Sequence, residues 1–284
     1  MCRAVIWWLG RPWNAGAGDE GAGTLPYAGC DLGIGTAKAV IGENGRIVAA
    51  EILPYKSFPD QAAARAMELA LARAGLCRAD IGCCLATGMG ARAVTFAADA
   101  VPEIISLHRA VRQLNPRART VVDVGGHSFM AFNITEGGEI RESAVTDRCA
   151  AGTGLLLDVM ANALEMPLDE LNAAAAGSNH PIYINNQCPI FVESEVVSLI
   201  NDGYDGLDIF AGVAASLAGK IAGLVGRVDL IPEVVMVGGV VRNSLVVGNL
   251  ERKLRLSLAR LDGVEPQVVP AYGAALLAEE RRHG

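Results

Sequence analysis

The sequence predicts an α/β protein of two similar lobes, and a repeated pattern is the main reason. Residues 28–51 contain an Asp-x-Gly turn, an alternating segment, a glycine turn and a further strand, and residues 121–142 repeat that order. Such alternation is typical of strands, so each copy predicts a β-hairpin that opens at an aspartate. Segments of helical character follow both copies, and no low-complexity stretch interrupts the sequence after residue 27. Together these features favour a layered α/β architecture.

The remaining elements follow from composition and from helix-ending residues. One segment of strong helix formers ends at Gly75, and a second ends at Asn115-Pro116. A short apolar run predicts a strand at residues 234–237. The predicted helices cover residues 62–74, 102–114, 154–164, 193–200, 209–225 and 271–282. The predicted organisation is a loose extension at 1–27, a first lobe at 28–118 onto which a closing helix at 274–284 packs back, and a second lobe at 119–273.

Composition limits the classes of partner. The 284 residues are 51% hydrophobic and 19% charged, with a formal net charge of −7. These values fit a globular chain, and without a Lys/Arg block neither nucleic acid nor an anionic membrane is expected as the main partner. No apolar run approaches the roughly 18–20 residues that cross a bilayer. The apolar segment at residues 4–9 is shorter than a secretory core, so we expect a cytoplasmic protein without a cleaved signal.

The cysteines are seven in number and scattered, which is not the pattern of a disulfide framework. They fit a reducing cytosol and leave thiols available as metal ligands. Cys30 is expected to be a core residue, and Cys83 and Cys84 are expected to point to opposite faces of one strand. The seven are Cys2, Cys30, Cys77, Cys83, Cys84, Cys149 and Cys188.

Three glycine-rich turns have the composition of phosphate-binding loops. A turn of this kind directs several backbone N–H groups at one point, and such a nest binds phosphate. Asp31 and Asp123 stand beside the first two turns, where a carboxylate can hold Mg²⁺ or its water ligands. The pair Gly238-Gly239 follows the apolar strand, and its backbone can approach an adenosine closely because glycine lacks Cβ. One such turn alone is weak support, but three in this order favour a nucleotide site.

Two of the cysteines each stand just before a predicted helix. Cys149 lies in Asp147-Arg-Cys-Ala-Ala-Gly-Thr-Gly154, and Cys188 lies in Gln187-Cys-Pro-Ile-Phe-Val-Glu-Ser-Glu195. Two cysteines do not complete a four-thiolate cluster, but a two-fold dimer supplies the other two. A helix N-terminus also stabilises a negatively charged thiolate cluster. From spacing alone, two buried structural cysteines remain the alternative.

The three turns resemble the two phosphate motifs and the adenosine motif of the actin, sugar-kinase and Hsp70 superfamily. The matching segments are Asp31-Leu-Gly-Ile-Gly-Thr36, Asp123-Val-Gly-Gly126 and Val237-Gly-Gly-Val240. This resemblance implies two ribonuclease-H-like lobes with ATP in the cleft between them. It implies catalytic roles for Asp31, Asp123, His127 and Ser128, and nucleotide contacts from Gly33, Gly35, Thr36, Lys38, Gly125, Gly126, Gly238, Gly239 and Val240.

The two cysteine segments narrow the resemblance further. Cys-Ala-Ala-Gly-Thr-Gly followed by Cys-x-x-Phe-x-Glu-Ser-Glu is similar to the activators of 2-hydroxyacyl-CoA dehydratases and the ATP-binding subunits of benzoyl-CoA reductase. This family implies a dimer with one 4Fe–4S cluster held by Cys149 and Cys188. It also implies ATP hydrolysis with Mg²⁺ that drives an electron, taken from a donor such as ferredoxin or flavodoxin, into an iron–sulfur CoA-ester dehydratase or reductase. Further agreement occurs at Ala86-Thr-Gly88, Gly238–Asn243 and Tyr272–Ala275.

One departure from that family falls in the second phosphate motif. The family pattern continues Gly-Gly-Gln-Asp, whereas this chain has Gly125-Gly126-His127-Ser128. His127 can orient water and Ser128 can touch magnesium, but neither replaces the charge of a carboxylate. We therefore expect slow hydrolysis, or a role as the weaker half of a heterodimer, such as the shorter subunit of benzoyl-CoA reductase.

Two other functions remain open. One is a cluster-bearing structural subunit that binds nucleotide without hydrolysing it, which the residues at 127 and 128 favour. The other is a small-molecule kinase of the amino-sugar type, which needs a sugar pocket and a carboxylate base. The kinase interpretation leaves Cys149 and Cys188 unexplained.

Overall fold

The computed structural model describes residues 25–127, 129–146, 154–184 and 189–281, without the side chains of residues 189, 190 and 193. The chain divides into two compact units, one that combines the residues up to Pro116 with those from Leu261 onward, and one at Arg117–Arg260. Both units combine a sheet with helices, so the predicted α/β class with two lobes is confirmed. The first strand begins at Tyr27, one residue inside the predicted loose extension.

The first unit contains a five-stranded sheet. Its first three strands pair antiparallel, as the first predicted hairpin requires, and its last two strands run parallel to the first. The strand order across the sheet is β3-β2-β1-β4-β5. The strands are β1 Tyr27–Leu32, β2 Thr36–Glu43, β3 Arg46–Pro54, β4 Cys84–Thr87 and β5 Asp99–Ala100.

The second unit repeats this topology with four strands in the order β8-β7-β6-β9. Strands β6, β7 and β8 pair antiparallel, and β9 runs parallel to β6. The repeat therefore extends beyond the hairpins to the strand that follows the crossover in each unit. The strands are β6 Thr120–Val124, β7 Phe129–Ile134, β8 Ile140–Val145 and β9 Val234–Val237.

The six predicted helices are all present, with ends shifted by up to four residues. Helix α5 begins at Pro189 instead of residue 193, since proline is well suited to the first turn of a helix. Among the described residues, the second unit has two further helices, Leu168–Ala175 (α4) and Ser244–Leu254 (α7). The helices are α1 Pro59–Ala74, α2 Glu103–Leu114, α3 Gly154–Ala163, α4 Leu168–Ala175, α5 Pro189–Asn201, α6 Gly206–Val225, α7 Ser244–Leu254 and α8 Val269–Glu280.

Helix α6 is long and apolar enough to span a membrane by length and composition, so the expectation that no segment approaches that length is wrong for this helix. Its side chains explain the composition in another way. Ile209, Phe210, Leu217 and Ile221 are fully buried in the core of the second unit. A helix that is apolar on most sides is what the centre of a large core requires.

Helix α8 returns the end of the chain to the first unit, where it packs on β1 and α2. Two glycines permit the close approach. A Cβ atom on Gly273 would lie 1.8 Å from the carbonyl oxygen of Ser106 on α2, and one on Gly29 would lie 1.9 Å from that of Ala271. Any larger residue at either position would push the helix away from its neighbours. Strand β1 is consequently buried along its whole length.

Candidate functional site

The first glycine-rich turn connects β1 to β2 in the first unit. The N–H of Gly33 donates to the carbonyl oxygen of Thr36 at 3.0 Å and closes the turn. Gly35 has open space where a Cβ would stand, and a Cβ on Gly33 would meet the Lys38 ammonium at 3.1 Å. The turn therefore presents exposed backbone close to a positive charge.

Asp31 stands at the end of β1, directly before this turn. Its Oδ2 pairs with Nζ of Lys38 at 2.9 Å, and the two side chains are only 4% and 11% exposed. Its Oδ1 is buried and accepts no hydrogen bond from the described residues. A buried carboxylate oxygen without a donor is costly unless a cation or water occupies the site, so Oδ1 is suited to a metal ligand role. Cys30, its neighbour, is fully buried in the core as predicted, and burial raises the pKa of its thiol far above the ordinary value.

A glycine on the neighbouring parallel strand defines the space around Asp31. Asp31 lies opposite Thr87 in the β1–β4 register, and Gly88 follows with φ of +85°. A Cβ on Gly88 would lie 2.2 Å from Oδ1 of Asp31. The hydroxyl of Thr87 in turn donates to the carbonyl oxygen of Val101 at 3.0 Å and accepts from Ser106 at 3.1 Å. The sequence places Gly88 in the matching segment Ala86-Thr-Gly88, but no local pattern predicts that it lies against Asp31.

The second unit repeats this arrangement around Asp123. Asp123 lies opposite Val237 in the β6–β9 register, and Gly238 follows with φ of +89°. A Cβ on Gly238 would lie 2.3 Å from the carbonyl oxygen of Val124 and 2.7 Å from Oδ1 of Asp123. Asp123 itself is 7% exposed. Each unit thus places a buried aspartate at the end of its first strand against a glycine at the end of its parallel strand.

The second glycine-rich turn is bonded to the start of helix α3. The N–H of Gly154 donates to the carbonyl oxygen of Gly125 at 3.0 Å, and the N–H of Leu155 donates to that of Gly126 at 2.9 Å. These donors are among the groups that a helix leaves unpaired at its first turn. A Cβ on Gly154 would also lie 3.0 Å from Cγ2 of Val240. The second turn, the third turn and α3 therefore form one packed cluster.

The structure brings the predicted nucleotide residues together in two sets. The first unit contains Asp31, Gly33, Gly35, Thr36 and Lys38 at one end of its sheet. The second contains Asp123, Gly125, Gly126, Gly238, Gly239 and Val240, with His127 partly buried beside Gly126. Ser128, Cys149 and Cys188 lie outside the described residues, so their roles stay predictions.

Known proteins of similar sequence and structure include two dehydratase activators and one component of a reductase. The (R)-2-hydroxyglutaryl-CoA dehydratase activating ATPase of Acidaminococcus fermentans is 35% identical over 260 residues, which cover 89% of this chain and 96% of that protein. The crystal structure of the activator of the 2-hydroxyisocaproyl-CoA dehydratase from Clostridium difficile, with bound ADPNP, matches with a TM-score of 0.85 and 33% identity, and covers 91% of this chain and 96% of that one. A benzoyl-CoA reductase subunit of Thauera aromatica is 26% identical over 258 residues, 88% of this chain and 91% of that protein.

A family-level match agrees with these relatives. The model of the BadF/BadG/BcrA/BcrD ATPase family matches residues 28–278, which include both aspartate turns, the third glycine pair and both cysteine segments. The family resemblance predicted from the motifs is thereby confirmed, and ATP binding and hydrolysis are supported. The chain belongs to the BadF/BadG/BcrA/BcrD ATPase family.

Proposed function

We propose that this protein is an ATP-dependent activator that hydrolyses ATP and delivers a low-potential electron to an iron–sulfur CoA-ester dehydratase or reductase. The observation that carries the proposal is the bonding of Gly125 and Gly126 to the first turn of α3. Gly154, at the start of α3, follows Cys149 by only five positions. A conformational change in the second glycine turn would therefore be transmitted to the segment that contains Cys149, a proposed cluster ligand.

The described residues fit a nucleotide with Mg²⁺. Oδ1 of Asp31 is a buried acceptor without a donor in the described chain, which suits a hard cation or its water ligands. Lys38 places a positive charge at the first turn, where it would offset phosphate charge. Bound Mg²⁺ would supply Lewis-acid stabilisation of the charge that develops on the phosphate oxygens. Gly238 keeps the third turn free of a side chain that would displace Asp123.

The proposed cluster ligands are Cys149 and Cys188, with each of two chains contributing both. Helix α5 begins at the residue that follows Cys188, so its positive N-terminal end would lie next to a negatively charged cluster. A two-fold dimer completes the four thiolates that a 4Fe–4S cluster needs. The cluster would supply one-electron chemistry, with ferredoxin or flavodoxin as the electron source in the cytoplasm.

Iron content tests this proposal directly. Anaerobically purified protein is expected to contain about four irons per two chains, because one 4Fe–4S cluster is shared. Cys149→Ser and Cys188→Ser should each remove the iron and the visible absorption, measured by iron assay and absorbance spectroscopy. Cys77→Ser, which changes a partly exposed cysteine of the first unit, is the matched control and should keep both. Retention of a full cluster in either of the first two variants would contradict the ligand assignment.

Measurements of ATP turnover distinguish the activator from the kinase and structural-subunit alternatives. Steady-state ATP hydrolysis under anaerobic conditions should not depend on added sugar, and hydrolysis that requires a sugar would indicate a small-molecule kinase. Binding of ATP without hydrolysis would instead favour the structural-subunit interpretation.

The partner enzyme requires a different experiment. Co-purification should identify the dehydratase or reductase that accepts the electron.

A heterodimer is the second candidate, favoured by His127-Ser128 and by the similarity to a component of benzoyl-CoA reductase. Restoring the family pair with His127→Gln and Ser128→Asp tests it. If the native pair only slows hydrolysis, the double variant should raise ATP turnover by about 10²-fold or more, since well-placed groups of this kind contribute 10²–10⁴-fold. Little change in isolation, with a gain only when a paralogous chain is added, would favour the heterodimer. A loss of turnover would show that His127 already positions the water.

A further inference from the structure

Tyr55 follows β3 directly and makes two hydrogen bonds to the first glycine turn. Its backbone N–H donates to the carbonyl oxygen of Gly35 at 3.0 Å. Its phenol donates to the carbonyl oxygen of Gly33 at 2.5 Å. With the bond from the N–H of Gly33 to the carbonyl oxygen of Thr36, the turn has three fixed carbonyl groups in four residues. Two of the three are held by one tyrosine.

These bonds also fix the direction of an N–H group. In a trans peptide the carbonyl oxygen and the following N–H point to opposite sides, so the phenol on the Gly33 carbonyl turns the N–H of Ile34 away from Tyr55. That N–H donates to no group within the described residues, and Ile34 is exposed. A turn with two glycines has large conformational freedom, which would otherwise be lost when a phosphate binds. Tyr55 removes much of that freedom in advance.

The phenol remains a donor at neutral pH. Burial raises the pKa of the Tyr55 phenol above its ordinary value, and Asp31 raises it further, while Lys38 acts in the opposite direction. The phenol is also close to the Asp31–Lys38 pair, because it bonds to the carbonyl oxygen of Gly33, and a Cβ on Gly33 would lie 3.1 Å from Nζ of Lys38. Tyr55 therefore lies where the carboxylate, the ammonium and the turn meet, and it stays neutral there.

We propose that Tyr55 is a positioning residue for the nucleotide, which holds the glycine turn with the N–H of Ile34 directed at a phosphate group of ATP. This inference rests on the proposed function, because it assumes that the turn binds a nucleotide phosphate. Tyr55 acts through the backbone and needs no contact with the nucleotide. A preordered donor strengthens binding because less conformational entropy is lost on association.

The test uses Tyr55→Phe, with Tyr272→Phe as a matched control. Tyr272 makes the same kind of bond, from its phenol to the carbonyl oxygen of Gly45 at 2.7 Å, at the opposite end of strand β2. Calorimetry with Mg·ADPNP should give a Kd about fivefold higher for Tyr55→Phe. A factor of this size corresponds to the net free energy of one hydrogen bond. KM for ATP should rise by a similar factor, with kcat within about twofold. Tyr272→Phe should leave Kd and KM unchanged, although thermal melting should show a comparable small loss of stability in both variants.

The outcomes distinguish this inference from the proposal on which it rests. Native affinity for Mg·ADPNP in Tyr55→Phe would overturn the positioning role. An equal loss of affinity in both variants would also overturn it, because general loosening of the first unit would then explain the effect. If the native chain does not bind Mg·ADPNP at all, the proposed function itself fails.

Discussion

Asp31→Asn is expected to lower ATP turnover by at least about 100-fold, although the side chain keeps its size and shape. The buried Oδ1 has no donor among the described residues, and Oδ2 is paired with Lys38. An amide in this place cannot supply the negative charge that Mg²⁺ or its water ligands require. Metal stabilisation of a phosphoryl group contributes several kcal/mol, and each 1.36 kcal/mol is a factor of ten in rate. Turnover and Mg²⁺ dependence are the measurements.

A second variant separates this effect from loss of fold. Asp31→Asn removes the carboxylate that faces the mostly buried Lys38 ammonium, and breaking a buried ion pair is itself destabilising. The double variant Asp31→Asn with Lys38→Met removes both charges, so its melting temperature should recover most of the loss. Its turnover should stay as low as that of the single variant. Near-native turnover in Asp31→Asn would contradict the assignment of Asp31 to the metal.

Gly238→Ala is expected to destabilise the second unit by about 2–4 kcal/mol and to abolish measurable nucleotide binding. With φ of 89° and ψ of 174°, Gly238 occupies a backbone region that is essentially limited to glycine and that costs other residues about 1–3 kcal/mol. The new Cβ would lie 2.3 Å from the carbonyl oxygen of Val124, and crowding in a packed site costs a similar amount. The new Cβ would also lie 2.7 Å from Oδ1 of Asp123, so relief of the crowding would move that carboxylate.

Gly248→Ala is the control in the same unit. Gly248 lies within α7, and a Cβ there would meet nothing within 4 Å. Alanine is favoured over glycine in a helix by about 1 kcal/mol, so this variant should become more stable and keep its nucleotide affinity. Chemical denaturation and titration with Mg·ADPNP measure both quantities. Equal stability of the two variants would show that the close contact at Gly238 relaxes without cost.

The two hairpins and their aspartates were predictable because every signal for them is local. An aspartate, a glycine turn and an alternating segment lie within about two dozen residues in each copy. The partners of Asp31 and Asp123 across the sheet were not predictable in the same way. Gly88 reaches Asp31 through a parallel pairing that depends on the crossover through α1, and no local pattern reports its register. The bonds from Tyr55 to the first turn depend equally on how β3 folds back.

Strand β7 agrees with the strand predicted from its alternating pattern, but that pattern did not report that all six residues from Phe129 to Ile134 are buried. Side chains on both faces of the strand therefore lie in the core, as they do where both faces of a sheet are covered. Helix α4 was missed because an alanine-rich segment has little periodicity.

The return of α8 to β1 and α2 has a consequence for synthesis of the protein. Residues 117–260 form a unit that is continuous in sequence, so all of it has been synthesised by residue 260, whereas the first unit lacks helix α8 until residues 269–280 emerge. Pairings between distant parts of a chain form slowly because a long loop must close first. The part of the protein that is made first is thus completed last, and until then the face of β1 that α8 covers remains exposed.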